Sequence, residues 1–219
     1  KMDYETLLKK RITGPLNLKN TFVTVPSELH KKFAKGHTPS GETSNWDVPT
    51  FAGAGAIRSS ADDMLTFLSA NMGLLETTLK PAMELTHKES FKVNKELSLG
   101  MGWHISKNKS VEIIWHNGGT GGYRSFCGFI KNKKIGVVVL SNMNISIDDI
   151  GFHLLDKSKK LTDNENNREE IKINPDVLDR YVGHYELVKN FILNVTKENN
   201  KLFVQATGQE KYQVFPESE

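Results

Sequence analysis

The sequence predicts an α+β fold: an antiparallel sheet with packed helices, followed by a small antiparallel β appendage. Three observations carry this prediction. Apolar, strand-like runs at residues 97–105, 111–115, 125–130 and 135–140 follow one another through short polar turns, the pattern of an antiparallel meander. Segments with helical spacing lie before and after them, at residues 3–12, 59–68, 78–86 and 147–155. Composition then shifts over residues 156–172, which offer almost nothing to bury, before a second β pattern begins after Pro175.

In order, residues 3–12 set Tyr4, Leu7, Leu8 and Ile12 on one helical face, with Lys9, Lys10 and Arg11 where they suit the negative end of the helix dipole. Gly14-Pro15 stops that helix, and residues 21–25 read as a short strand. Residues 26–49 are polar and read as a long surface loop with one helical turn, of the kind that often forms a wall or lid. The small-residue passage of residues 52–57 runs into a helix start, where Ser59 or Ser60 caps and Asp62 and Asp63 occupy the first turn. Pro81 is tolerable in the first turn of the helix at 78–86. The meander follows, and residues 147–155 read as a helix packing back upon it. The domain expectation is therefore a first domain over residues 1–155, a polar linker over 156–174 and a small β domain over 175–219. The last has about the size at which an independent core is marginal, so it is expected either to dock or to be cut short.

Composition narrows the functional classes. With 37% hydrophobic and 25% charged residues, the 219-residue chain resembles an ordinary globular protein. Its net charge of +3 is weak, and its basic clusters are scattered without interleaved aromatics, so no nucleic acid partner is expected. The single cysteine, Cys127, precludes an internal disulfide framework and sits in an apolar run, where it is expected to be a buried hydrophobe. No apolar run is long enough for a transmembrane segment, and Lys1-Met2-Asp3-Tyr4-Glu5 is not a signal peptide. Because the chain opens inside a helical pattern, residues are expected upstream of it.

The stretch that stands out chemically is residues 115–126, Trp-His-Asn-Gly-Gly-Thr-Gly-Gly-Tyr-Arg-Ser-Phe, with four of the 17 glycines inside five positions. Such density lets backbone approach backbone or a ligand, and a histidine beside bare amides is how an anion-stabilising site is built. The residues alone leave a tight sheet corner with a hydrogen-bonded histidine equally open. No metal or other cofactor is expected, since no other histidine has ligand spacing to His116 and no His-Glu-x-x-His or Cys-x-x-Cys occurs. A Ser-x-x-Lys does occur, Ser106 to Lys109, but at a polar hairpin tip, the wrong surroundings for a lysine that must give up its proton.

Residues 115–142 resemble the third motif and following strands of the serine β-lactamase and penicillin-binding-protein superfamily, in the branch of class C β-lactamases, D-alanyl-D-alanine carboxypeptidases and esterases. Where that branch carries Lys-Thr-Gly or His-x-Gly, this chain has His116-Asn117-Gly118, then Gly119-Thr120-Gly121-Gly122. Residues 12–21 resemble the family's "PLGMxxT" passage, residues 52–64 its "AGGLxSTAxDM" passage, and Leu99-Gly100-Met101-Gly102-Trp103 its "xGxGW" strand. These matches run in order over residues 1–155. Residues 178–218 resemble the small β accessory domain often appended to such hydrolases.

The resemblance implies a partial β-lactamase/transpeptidase-like fold and a serine hydrolase acting through an acyl-enzyme on a small-molecule or peptide substrate: an ester, a D-amino-acid peptide or a β-lactam. His-x-Gly leans towards esterase or peptidase. His116 would bind substrate or shuttle a proton, and the Gly119 N–H would be one oxyanion-hole donor. Gly118 would keep the strand accessible, with Asn117 and Thr120 beside the substrate. The family's nucleophilic Ser-x-x-Lys and its Tyr-x-Asn have no acceptable counterpart here. The expectation is therefore an internal or C-terminal piece of a longer hydrolase, inactive alone, with a non-catalytic binding or scaffold protein on the same fold as the alternative. Family likeness also implies a periplasmic or other extracytoplasmic location. Oligomeric state is not specified.

Overall fold

In the computed structural model, which describes residues 2–108, 111–162 and 171–216, the Asp3 carboxylate caps helix α1 (Tyr4–Leu8) by accepting the Thr6 N–H at 2.9 Å. The helix does not run regularly to residue 12. It widens into a π turn over Lys9–Thr13, closed by the Gly14 N–H donating to the Lys9 carbonyl at 2.9 Å. The strand expected at residues 21–25 is reduced to a single bridge between Phe22 and Arg58. Side chains take the place of a ladder there: Glu5 accepts the N–H groups of Val23 and Thr24, and Arg58 Nη1 donates to the Val23 carbonyl. The long polar loop carries a 3₁₀ stretch (Ser27–Lys32) and a two-strand hairpin of β1 (His37–Thr38) and β2 (Gly41–Glu42).

The short helix α2 (Ala52–Gly55) leads to α3 (Ala61–Asn71). Ser60 caps α3 through the Asp63 N–H, and two acids occupy its first turn as the sequence predicts. Asp63 is buried, and it accepts from the Asn20 N–H and the Thr21 hydroxyl, both at 2.7 Å, tying the residues after α1 to α3. Helix α4 (Lys80–Thr86) has its proline in the first turn.

A six-stranded sheet follows, formed by β3 (Phe91–Lys92), β4 (Leu97–Leu99), β5 (His104–Lys107), β6 (Glu112–Thr120), β7 (Tyr123–Ile130) and β8 (Ile135–Ser141). Its strands lie in sequence order and every neighbour is antiparallel, so it is a pure meander. One expected strand, residues 97–105, is two. Gly102 adopts φ +73°, a left-handed conformation open to glycine, and turns the chain between β4 and β5. Helix α5 (Asp148–Leu155) closes this unit.

The sheet is covered on both faces. On one, Leu68 and Met72 from the α3 region pack on Ile114, Phe129 and Trp103. On the other, Leu155 of α5 packs on Ile113, Phe126 and Ile130. Leu68, Phe126, Phe129 and Ile130 are fully buried, each contributing roughly 1.5–3 kcal/mol of transfer free energy.

By its contacts the chain divides into two units, Lys1–Thr162 and Asp163–Glu219. Residues 156–162, expected as linker, belong to the first, and the Thr162 N–H donates to Asp149 of α5 at 2.9 Å. Residues 163–170 of the expected linker lie outside the described residues. In the second unit, α6 (Pro175–Leu178) precedes a four-stranded antiparallel sheet of β9 (Gly183–Val188), β10 (Phe191–Glu198), β11 (Lys201–Ala206) and β12 (Lys211–Val214). The Asn199-Asn200 turn has both φ values positive, as a tight hairpin turn requires. Leu178 is its one buried apolar residue among the described residues, a very small core. Among the described residues no helix is long and apolar enough to cross a membrane.

Candidate active site

The glycine-rich stretch forms the second half of β6 and the tight turn that follows it. Its strand pairing is unequal. Pairing with β5 runs from Lys107–Glu112 to His104–Trp115 and ends there, whereas pairing with β7 continues to Thr120–Tyr123. Residues 116–120 therefore have a strand on one side only. The two-residue turn Gly121-Gly122 sets the alternation, because Thr120 and Tyr123 can pair across it only by exchanging their own hydrogen bonds. Counting back, Gly118 and His116 direct their backbone groups at β7. Asn117 and Gly119 direct theirs away from it, into the open edge.

The side chains alternate as well. Ile114, His116, Gly118 and Thr120 share the α3 face, and Trp115, Asn117 and Gly119 share the α5 face. His116 and Gly118 are exposed. Thr120 lies against α2, its methyl carbon 3.4 Å from where a Cβ on Gly55 would stand. Asn117 is turned from this group. Its amide donates to Asp148 Oδ2 at 2.5 Å, in the first turn of α5, so its side chain pins helix to strand. Gly119 is crossed by the Arg124 side chain, whose Nη1 lies 2.5 Å from the position a Cβ would take.

His116 is oriented by its own strand. Nδ1 stands 2.5 Å from the Asn117 carbonyl oxygen. A carbonyl only accepts, so Nδ1 carries the proton, and in the neutral ring Nε2 is the acceptor. Beside it lies His104, a residue the sequence reading did not single out. The two rings are 5.2 Å apart, and His104 stacks on Trp115 at 4.5 Å. Burial, then the neighbouring His116, hold His104 below the ordinary histidine range.

The turn is gripped by the long loop. Gly122 has φ +76°, and a Cβ there would stand 2.6 Å from the Gly36 carbonyl carbon and the His37 nitrogen, so only glycine fits. The His37 N–H reaches the Asn142 carbonyl at 2.8 Å and the Gly122 carbonyl at 3.2 Å. The Tyr123 hydroxyl lies within hydrogen-bond distance of two acceptors, the Ala34 carbonyl at 2.7 Å and Asn45 Oδ1 at 2.8 Å. The loop thus serves as a wall that fixes the end of β6.

Other sequence candidates fall away from this edge. Cys127 lies within β7, and burial pushes its thiol up to about 11, leaving it protonated at neutral pH. Ser106 accepts the Trp115 indole N–H at 2.9 Å, and Lys109 lies outside the described residues. Among the described residues no three His, Cys, Asp or Glu side chains are grouped to hold a metal ion.

The β-lactamase family model matches residues 1–152. The chain belongs to the β-lactamase family. This family lies in the serine β-lactamase and penicillin-binding-protein-like superfamily of hydrolases. A β-lactamase of Psychrobacter immobilis is 26% identical over 176 residues, covering 65% of this chain and 44% of the relative. One of Escherichia coli K12 is 24% identical over 177 residues, 65% of this chain and 47% of the relative. The chain thus spans about half the length of the curated relatives it matches. Among solved structures, a class C β-lactamase aligns with TM-score 0.65 at 22% identity, over 72% of this chain and 52% of the other. A D-alanine carboxypeptidase from Burkholderia cenocepacia aligns with TM-score 0.66 at 23% identity, over 71% and 56%. These neighbours establish the fold, a partial β-lactamase fold. The stretch that resembles the family's third motif falls on the half of the strand that β5 leaves uncovered.

Proposed function

We propose that this chain supplies one wall of a serine acyl-transfer site, with the nucleophile contributed by polypeptide outside these 219 residues. The observation that carries the reading is the open edge of β6, where the Gly119 N–H and the Asn117 carbonyl that holds the His116 ring face away from β7 without a covering strand. In the proposed reaction a serine Oγ adds to a substrate carbonyl and its proton passes to a base. The carbonyl oxygen becomes an oxyanion held by the Gly119 N–H and by the nucleophile's own amide. Collapse of that intermediate expels an amine or alkoxide that takes up a proton, and water then cleaves the acyl-enzyme to release the acid. His116 binds substrate or relays a proton through Nε2. Gly118 keeps the edge accessible, Thr120 bounds it towards α2, and Asn117 acts by holding the strand to α5.

A histidine carries no permanent charge, unlike lysine, which favours an ester or peptide substrate over a β-lactam. An exposed apolar surface near the edge fits a domain that continues beyond this chain. Tyr4 lies on Gly53 of α2, Phe51 is 72% exposed and Trp46 is 58% exposed. The reading extends to an extracytoplasmic location and to residues 175–219 as an accessory domain.

The test is covalent labelling of the 219-residue chain with a fluorescent penicillin and a fluorophosphonate. No serine should be labelled in the chain alone, and label should appear at a serine of the added polypeptide once the complete hydrolase is formed. Label on any serine of this chain would overturn the assignment.

A further inference from the structure

His104 is the first residue of β5, at the point where that strand stops covering β6. Its ring is held by a fixed stack. The Trp115 indole N–H donates to Ser106 Oγ at 2.9 Å, which locks the indole, and His104 lies on it at 4.5 Å with 23° between the planes. The exposed side of His104 meets His116, centroids 5.2 Å apart and planes tilted by 43°. His104 Nδ1 is buried and has no hydrogen-bond partner among the described residues. A buried imidazole nitrogen without a partner disfavours charge on the ring. The neighbouring His116 acts in the same direction, and the backbone hydrogen bond at Trp115 opposes it.

We propose that His104 is the positioning residue of the β6 edge: a neutral imidazole, anchored through Trp115 and Ser106, that holds the His116 ring over the open strand with Nε2 outward. Two contacts then define the His116 ring. The Asn117 carbonyl fixes which nitrogen carries the proton, and the His104 ring limits rotation of the imidazole. Without the second contact, an exposed histidine at an edge samples several rotamers. The inference builds on the reading of His116 as a site residue, yet it concerns the ring's geometry and is measured without turnover.

The experiment is nitrogen-detected NMR of the histidine rings in the 219-residue chain, through a pH titration, for the wild type, His116→Asn, His104→Ala and His104→Phe. In the wild type, His116 should show one tautomer, protonated at Nδ1, and His104 should titrate below the ordinary histidine range. His116→Asn, at an exposed position, should shift the His104 titration upward. His104→Ala should turn the His116 nitrogen signals into the average of both tautomers, and His104→Phe should restore the wild-type pattern by restoring the ring. If His104→Ala fails to fold, the wild-type tautomer and the His116→Asn shift decide the matter. Averaged His116 tautomers in the wild type, or a His104 titration indifferent to His116→Asn, would overturn the proposal. Failure of turnover to depend on His116 would instead sink the catalytic reading and leave the stack standing.

Discussion

The two halves of β6 face opposite demands. Residues 112–115 are paired with β5, Ile114 and Trp115 with β7 as well, and Ile113 and Ile114 are buried against α5 and α3. Residues 116–120 are paired on one side, and their middle is exposed. One continuous strand thus spends its first half on stability and its second half on an accessible edge. The first half stiffens the second, since a ladder fixed at Trp115 leaves His116 and Gly119 little freedom. An open edge is normally a liability for pairing with other chains. Here the Gly121-Gly122 turn and the gripping loop of residues 26–49 keep it short, and its tip packs against Gly36 and Trp46.

The division can be broken most sharply at Gly119. In the complete hydrolase, Gly119→Pro removes an N–H that points at no strand, so the fold should persist once the Arg124 guanidinium swings clear of the added ring, while kcat falls about 10²–10³-fold, as for loss of one oxyanion donor. His116→Ala should reduce turnover about 10²-fold or more with a melting temperature near wild type. An unchanged kcat in both variants would return the glycine stretch to a purely structural part. In the other half, Ile114→Ala should cost roughly 2–5 kcal/mol of stability, because it empties a site packed by Leu68 and Phe129. Urea denaturation of the 219-residue chain measures it, and a loss no larger than that of His116→Ala would erase the contrast.

The smallest effect expected is a pH dependence beneath the buried half. His87 packs edge-on against Phe129 and Trp103, and burial lowers it to about 4. Its unfolded value is higher, near 6.5. Between those values the unfolded chain binds the proton and the native chain does not. Stability is therefore fully present above about pH 6.5 and lost as pH falls towards about 4. For a half-exposed ring this amounts to on the order of 1 kcal/mol after solvent screening. His87→Gln should flatten that part of the denaturation profile, and an unaltered profile would assign it to other groups.

Much of this was readable in advance for a physical reason. The meander follows from apolar runs separated by polar turns, and α3 from Ser60 with Asp62 and Asp63, all local signals of a few residues. The candidate stretch itself was legible too, since His116 and the glycines that follow it are contiguous. Where local signals ran out, so did the reading. The run 97–105 looked like one strand because its apolar residues outweigh the glycine pair, and only the positive φ of Gly102 divides it. The strand at residues 21–25 failed because Glu5 and Arg58, both distant in sequence, satisfy its backbone.

By itself, then, the sequence determined the family, the order of strands and the residues of the edge, because these are written in neighbouring positions. Tertiary structure alone decided that β5 ends opposite Trp115. That termination opens β6, turns Asn117 to Asp148 and brings His104 beside His116. Register between strands is set by packing across the whole sheet, and no single segment encodes it.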